Sequence, residues 1–206
     1  MNLSFTVPSN FRENLLSAKL NFARPDTFNA ILMRAGFSFS AANHKALLNV
    51  TATTGAIDYG IVAATKTITR VIGAPHNHGT LSFITDGFVV GNYITLTGTN
   101  AGTYVVRSVT ATTMRVDLVG AATLVDETAT AQTITCQDEY ATGGGYTRIP
   151  VTFDLTGSVL TLDTFDLTSF GAADLALSGG IIIYDDTATG DPIVCFAKTS
   201  TWALNF

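Results

Sequence analysis

The stretch GGIIIYDDTATGDPIVCFA, residues 179–197, joins two apolar runs through a short link of Asp, Thr, Ala and Gly. The first run, Ile181–Tyr184, is continuously apolar, which is typical of a central strand buried on both faces. The link TATGDP has the composition of a turn and leads directly into PIVCFA. The stretch therefore predicts an antiparallel hairpin at the centre of a sheet.

Much of the remaining chain alternates apolar and polar residues over short spans, the pattern of half-buried antiparallel strands. From Thr51 to Gln137 the pattern predicts a single strand at each of IVAATKTITRVI, GNYITLTG, TYVVRSV, TTMRVDLV and AQTITCQ, and a short strand with a loop at FITDGFVVG. Further strands are predicted at TRIPVTFDLTG, SVLTLDTFDLT and TWALNF. The chain is thus expected to be mainly β.

Helical signals are confined to the N-terminal part. PSNFRENLLSAKL places Phe11, Leu15, Leu16 and Leu20 at helical spacing behind Ser9 or Asn10 as a cap. The next segment, TFNAILMRAG, predicts a buried strand, and ANHKALLNV predicts a brief helical turn with Asn43 as its cap. One or two short helices are therefore expected.

Composition limits the classes of partner. The 206 residues can bury a stable core, and no apolar run approaches the roughly 18 residues of a membrane span. The net charge is −5 with Lys and Arg scattered singly, so neither nucleic acid nor membrane is expected as a partner. The N-terminus lacks a secretory pattern, which predicts synthesis in the cytoplasm.

The two cysteines, Cys136 and Cys195, are interpreted as small buried hydrophobic residues, with a disulfide bond between them as the alternative.

Residues 139–148, EYATGGGYTR, place three glycines between two tyrosines. A phosphate-binding loop needs a glycine-rich turn that feeds a helix, because the helix N-terminus supplies free N–H groups. This stretch feeds the strand pattern TRIPVTF, and Pro150 disfavours a helix start there. The stretch is therefore interpreted as a flexible corner between two strands, not as a nucleotide site.

The order HKALLNV, EYATGGGYTR, GGIIIYDDTATGDPIVCFA and a Trp-bearing last strand resembles a family of small tailed-phage virion proteins, over residues 8–50 and 137–206. The positions that carry the resemblance are His44, Tyr146, Tyr184, Asp185, Asp186 and Pro192. The family has an N-terminal helix, a strand, a His-containing segment, a Gly-rich Tyr motif and a Pro-containing hairpin. The resemblance implies a structural component of a virion.

The segment between these parts resembles a small β-module of phage structural proteins, through TDGFVVGNYITLTG, NAGTYVVRSV and TATTMRV. Asn92 stands where an Asp is common in that module. Insertion at an exposed loop leaves the core of the recipient domain intact. The expected fold is mainly β: an antiparallel β-sandwich or barrel-like outer domain from residues 1–51 and 137–206, with one or two short helices, and an inserted all-β module at 52–136.

Few residues in the sequence suggest a catalytic, cofactor or metal site. His76 and His78, in HNHG, have the spacing of a metal pair but sit in a Pro- and Gly-flanked loop, where a solvated loop is the ordinary interpretation. The aspartates are interpreted as strand-end and turn residues, because their spacing matches neither a calcium loop nor a glycosidase pair. They are Asp154, Asp163, Asp166, Asp174, Asp185, Asp186 and Asp191. No serine lies in a GxSxG elbow. The sequence predicts no enzyme and no catalytic, cofactor or metal site.

The resulting hypothesis is a capsid decoration or cement protein on the outside of a phage shell. Its expected partners are the major capsid protein and sister copies, in a trimer, and its expected location is the virion surface. The alternatives are a tail or neck connector or fibre-base protein, and a glycan-binding adhesin in which Trp202 or Tyr93 stacks on sugars. The least favoured alternative is an enzyme, a hydrolase that acts on a polymer of the host envelope. For His44 the plain interpretation is a hydrogen bond at a helix N-terminus.

Overall fold

The computed structural model describes residues 4–17, 20, 22, 26–54, 57–71, 82–140, 147–156, 159–162 and 179–198. In chain order the elements are β1 (Ser4–Thr6), α1 (Phe11–Leu16), β2 (Phe28–Met33), α2 (Leu48–Thr51), β3 (Ile57–Val62), β4 (Thr67–Arg70), β5 (Tyr93–Leu96), β6 (Gly102–Val109), β7 (Thr113–Leu118), β8 (Glu127–Gln132), β9 (Thr135–Cys136), β10 (Ile149–Val151), β11 (Phe153–Thr156), β12 (Val159–Leu162), β13 (Gly180–Asp185) and β14 (Ile193–Lys198). The protein is mainly β with antiparallel sheets, which confirms the predicted fold class.

The chain forms two compact units. One, the discontinuous unit, combines Met1–Leu47 with Glu139–Phe206, and the other, the inserted unit, is Leu48–Asp138. The sequence analysis placed the two boundaries at 51/52 and 136/137.

The discontinuous unit is built on a five-stranded sheet in the order β1-β14-β13-β2-β10. β13 and β14 pair as an antiparallel hairpin, with Ile182 opposite Phe196, so the predicted hairpin is confirmed. β13 is the central strand and all six of its residues are buried, as its apolar run predicts. Burial of such aliphatic side chains contributes roughly 1.5–3 kcal/mol each, so this strand anchors the unit. β11 and β12 form a separate two-stranded sheet.

The inserted unit is built on a seven-stranded sheet in the order β8-β3-β4-β7-β6-β5-β9. Its two end strands, β8 and β9, are separated in the chain by Thr133 and Ile134 alone. The sheet must therefore curl, since so short a link requires its two end strands to lie close together. Large apolar side chains form the core of this unit and are almost fully buried; they include Ile57, Tyr59, Ile68, Phe83, Phe88, Ile94, Tyr104, Met114 and Val116.

The two chain ends of the inserted unit lie side by side. Thr53 pairs with Thr135 in an isolated bridge, and the Cys136 N–H donates to the Ala52 carbonyl at 2.7 Å. The Ile134 N–H donates to Thr54 Oγ1 at 2.9 Å, and the Thr54 N–H donates to the Ile134 carbonyl at 2.9 Å. The chain therefore enters and leaves this unit at one place, as an insertion into a loop requires.

Three predicted strands are interrupted. IVAATKTITRVI forms β3 and β4, separated by a 3₁₀ turn at Ala63–Thr65 and by Lys66, whose φ is 52°. AQTITCQ is divided between the end of β8 and β9 at Thr133 and Ile134. TRIPVTFDLTG is divided at Thr152 into β10 and β11, which belong to different sheets. All three predictions were wrong about continuity, because the alternating pattern continues through these residues while the backbone changes direction.

Other differences concern short elements. FITDGFVVG forms turns and no strand, and the helix in ANHKALLNV begins at Leu48, so Asn43 is not its cap. The α1 helix is confirmed, but Asn10 makes no side-chain capping bond, and Leu16 is 77% exposed where the apolar pattern predicted a covered face. The sequence analysis missed β1 and most of β8. TWALNF, the centre of EYATGGGYTR and much of SVLTLDTFDLT lie outside the described residues.

Candidate functional site

Several residues considered in the sequence analysis fall outside the part of the chain that the structure describes. They are His76, His78, Tyr146, Asp163, Asp166, Asp174 and Trp202, and the side chain of Asp154 is likewise not described. The remaining candidates separate into the two units. Asn92 and Tyr93 lie in the inserted unit, while His44, Tyr184, Asp185, Asp186, Asp191 and Pro192 lie in the discontinuous unit.

His44 is a core residue in an aromatic cluster. Its ring centroid lies 5.1 Å from that of Phe37 and 5.5 Å from that of Phe39, and Phe196 of β14 packs on both phenylalanines. His44 Nδ1 accepts a hydrogen bond of 2.9 Å from the Ser40 N–H, so Nε2 carries the proton of the neutral ring. The bond lies in the turn ahead of α2, not at the helix N-terminus. Burial lowers the pKa of His44 to about 4.

This shift predicts an acid-sensitive fold. The unfolded chain binds a proton at His44 near pH 6.5, whereas the folded chain binds it near pH 4, so stability from this group is complete above pH 6.5 and is lost as pH falls toward 4. At pH 5 the loss is about 2 kcal/mol relative to pH 8. Urea unfolding of the wild type and His44→Leu from pH 8 to 4 measures it. Between pH 8 and pH 5 the wild type is expected to lose about 2 kcal/mol more stability than His44→Leu. Parallel curves would contradict the assignment.

Asp185 and Asp186 form the turn of the central hairpin. Asp185 is buried, and its Oδ1 accepts hydrogen bonds from the N–H groups of Thr187 and Ala188 at 2.9 and 3.0 Å. The Asp186 N–H donates to the Thr27 carbonyl at 2.8 Å. Burial is the main cause that raises the pKa of Asp185, against these two hydrogen bonds, which lower it. Asp185 is thus the last residue of β13 and Asp186 the first residue of the turn, positions at a strand end and in a turn as the sequence analysis predicted.

An ion pair joins the two residues that flank the glycine-rich stretch, Glu139 and Arg148. Arg148 donates to both oxygens of the Glu139 carboxylate, at 2.8 Å from Nε and 2.7 Å from Nη2. Its Nη1 also lies 3.4 Å from the Tyr184 hydroxyl. A bidentate pair of this kind fixes geometry as well as contributing energy. It joins the two ends of EYATGGGYTR, a contact that the sequence analysis did not predict although both residues stand in the quoted stretch.

A cluster of buried polar groups lies where the chain enters and leaves the inserted unit. This cluster, which we call the neck cluster, consists of Asn49, Asn92, Tyr93, Cys136 and Asp138. Asn92 Nδ2 donates to Asp138 Oδ2 at 2.7 Å and to the Asn49 carbonyl at 2.8 Å. Asp138 Oδ1 accepts from the Tyr93 N–H at 2.9 Å. Asn92 and Asp138 are both fully buried, so the cluster is a saturated internal network.

The motif TDGFVVGN forms a loop that covers the core of the inserted unit. Phe83 and Phe88 enter the core, at 0% and 1% exposure, and their rings meet edge to face. The Arg70 guanidinium lies 4.3 Å from the centroid of Phe83 and pairs with Asp86. The motif quoted in the sequence analysis thus places one aromatic side chain, Phe88, in the core, and Phe83, two residues before the motif, packs against it.

Another polar network in the inserted unit links β3 and β8 to residues after β5. The Tyr59 hydroxyl donates to Gln132 Oε1 at 2.9 Å, and Gln132 Nε2 donates to Glu127 Oε1 at 2.7 Å. Glu127 Oε2 accepts from Asn100 Nδ2 at 2.8 Å. Burial, and secondarily the Glu127 carboxylate, raises the pKa of Tyr59, so this phenol stays protonated. The network connects β3 and β8 to the turn after β5.

The two cysteines are buried free thiols, so they do not form the alternative bridge. Burial raises the pKa of Cys195 to about 12 and is also the main cause that raises the pKa of Cys136. Neither thiol is therefore a thiolate at neutral pH, which matches the interpretation as small hydrophobes.

Within the described residues, no group of three or more His, Cys, Asp or Glu side chains is arranged to hold a metal ion. In the same part of the chain, no helix has the length and hydropathy of a membrane span. The hydrogen bonds described above join polar side chains to each other and to the backbone, an arrangement that positions loops. Three buried side-chain atoms of these residues, His44 Nε2, Arg70 Nε and Asp185 Oδ2, have no hydrogen-bond partner. Comparison with known proteins found no matching family model, no similar curated protein and no similar solved structure.

Proposed function

We propose that the protein is a structural component of a tailed-phage virion, and specifically a decoration protein on the outside of the capsid shell. The proposal rests on the resemblance in segment order, carried by HKALLNV, EYATGGGYTR and GGIIIYDDTATGDPIVCFA. The observation that supports it most is that the phage-module motifs fall within Leu48–Asp138, a compact unit whose two chain ends are paired.

In this proposal the discontinuous unit attaches to the major capsid protein and to sister copies in a trimer, and the inserted unit supplies additional surface. Decoration works through repetition, because a modest contact that is multiplied over a symmetric shell stabilises the whole particle. Low charge suits such a role, since 13% charged residues leave much of the exterior to Thr, Ser, Asn and Gly. The role requires no chemical step.

Binding to shells tests the proposal. The purified protein is mixed with shells of the major capsid protein that were assembled without it, and the mixture is sedimented. The expected result is saturable binding at a ratio set by the shell symmetry, with additional density on the outer surface in cryo-EM. Tail tubes from the same phage serve as the matched control. Binding to tubes and not to shells would contradict the capsid assignment and would favour the tail or neck alternative.

A further inference from the structure

The side chain of Gln132, the last residue of β8, is buried and is surrounded by four groups of the inserted unit. It is 6% exposed. Its Nε2 donates to Glu127 Oε1 at 2.7 Å, and its Oε1 accepts from the Tyr59 hydroxyl at 2.9 Å. A carboxylate only accepts hydrogen bonds, so Nε2 must face Glu127 and the carbonyl oxygen must face Tyr59. The orientation of this carboxamide is therefore fixed.

A second hydroxyl approaches the same carbonyl. Thr97 follows β5 and is exposed, and its Oγ1 donates to Gln132 Oε1 at 3.4 Å. The next residue, Gly98, packs on the carboxamide, since a Cβ there would lie 2.9 Å from Oε1 and 3.0 Å from both Cδ and Nε2. These nearly equal distances place the Gly98 backbone over the face of the carboxamide. The turn after β5 thus holds the Thr97 hydroxyl beside a carbonyl that Tyr59 polarises.

A hydroxyl and a carboxamide in this arrangement are the reactants of ester formation. Thr97 Oγ1 forms a bond to Gln132 Cδ, the bond from Cδ to Nε2 breaks, and ammonia leaves without any oxidation or reduction. The protonated Tyr59 hydroxyl donates to the oxygen that gains negative charge. The Thr97 proton passes to solvent, and Glu127, which is hydrogen-bonded to Nε2, relays a proton from solvent to the departing nitrogen. Because both reactants belong to one folded unit, they meet without the entropic cost of a bimolecular reaction.

We propose that Thr97 and Gln132 form an intramolecular ester cross-link once the inserted unit has folded. β5 and β8 are not neighbours in the seven-stranded sheet, and the cross-link joins the residue that follows β5 to the end of β8. Like a disulfide bond, it restricts the unfolded chain and so stabilises the folded unit. This inference goes beyond the proposed function and does not depend on it.

Mass spectrometry of the purified full chain tests the cross-link. Ester formation is expected to lower the intact mass by about 17 Da, the mass of the ammonia that the hydroxyl displaces. Trypsin cuts after Arg107 and Arg115, so Thr97 and Gln132 fall in separate peptides, 71–107 and 116–148. The expected digest contains one branched species that holds both peptides and lacks one ammonia. A wild type at the full mass of its sequence, with the two peptides separate, would overturn the proposal.

Two threonine variants locate the reaction. Thr97→Val removes the hydroxyl and keeps the side-chain shape, so both the mass loss and the branched species are expected to disappear. Thr95→Val is the matched control, because Thr95 Oγ1 donates to the Thr135 carbonyl, and this variant is expected to keep the cross-link. A mass loss that persists in Thr97→Val would overturn the proposal, since it would come from another reaction, such as succinimide formation at an asparagine.

The rate of formation tests the part of Tyr59. Tyr59→Phe keeps the buried ring and removes the hydroxyl that donates to Gln132 Oε1. The cross-linked fraction, followed by mass against time after cell-free synthesis, is expected to rise about 100-fold more slowly than in the wild type, the usual effect of removing one such donor. Circular dichroism of the variant checks that it is folded. Equal rates in a folded Tyr59→Phe and the wild type would overturn the proposed mechanism.

Discussion

Asn92→Asp is expected to destabilise the inserted unit by about 3–5 kcal/mol at pH 7, the usual cost of an uncompensated buried charge. The wild-type amide donates to Asp138 Oδ2 at 2.7 Å and to the Asn49 carbonyl at 2.8 Å. An aspartate provides neither donor and brings a second carboxylate against the first. Two ionised carboxylates at this distance repel each other strongly, which disfavours the folded state at pH 7 and favours uptake of a proton by the folded pair as pH falls. Urea unfolding at pH 7 measures the loss.

The pH dependence and a reciprocal exchange provide the controls. In Asn92→Asp the folded pair keeps its proton at a higher pH than the unfolded chain does, so its stability deficit is expected to shrink as pH falls from 7 to 5. Asn92→Asp combined with Asp138→Asn restores one amide beside one carboxylate and is expected to recover part of the loss. A single variant as stable as the wild type at pH 7 would show that the neck cluster does not hold the unit together.

Gly87→Ala is the second large effect, with an expected loss of about 3–5 kcal/mol from strained backbone and overpacking together. Gly87 has φ of +96°, and a Cβ there would lie 2.4 Å from Leu48 Cγ and 2.6 Å from the Leu48 carbonyl oxygen. The leucine side chain can rotate away, but the carbonyl belongs to α2 and cannot. The Gly87 carbonyl also accepts a hydrogen bond of 3.1 Å from Asn49 Nδ2, so displacement of the loop disturbs α2 as well.

Gly91→Ala is the matched control for this prediction. Gly91 has φ of +99°, but a Cβ at that position would meet no atom within 4 Å. Its expected loss is therefore the conformational part alone, about 1–2 kcal/mol. The difference between the two variants isolates the contact with Leu48. Equal losses in thermal unfolding would contradict the close packing of the loop against α2.

The features that were predictable from the sequence are those that local pattern encodes. The hairpin of β13 and β14 was predictable because a continuous apolar run marks a buried strand and TATGDP marks a turn. The division of IVAATKTITRVI was not predictable, because Lys66 adopts its φ of 52° without the Gly or Asn that normally marks such a position. β1, at three residues, is too short for alternation to be recognised.

The buried polar networks could not be predicted from the sequence, for a different reason. Asn92 precedes β5 and Asp138 follows β9, and the two residues are 46 positions apart in the chain. Their contact depends on the pairing of β5 with β9, which no local pattern encodes. The same holds for Phe83 and Phe88, which were assigned to a strand and loop by their apolar character but anchor a turn in the core. The sequence did contain one indication of this contact. Asn92 stands where an Asp is common in the β-module that the segment resembles, and an amide, unlike an ionised carboxylate, can donate a hydrogen bond to Asp138.

The number of copies per virion tests the proposed function most directly. Quantitative mass spectrometry of purified particles, calibrated on the major capsid protein, gives this number. A decoration protein is expected at copies on the order of hundreds, in a fixed ratio to the major capsid protein set by the shell symmetry. Absence from particles, or a number that matches a single tail or neck ring, would contradict the assignment to the capsid surface.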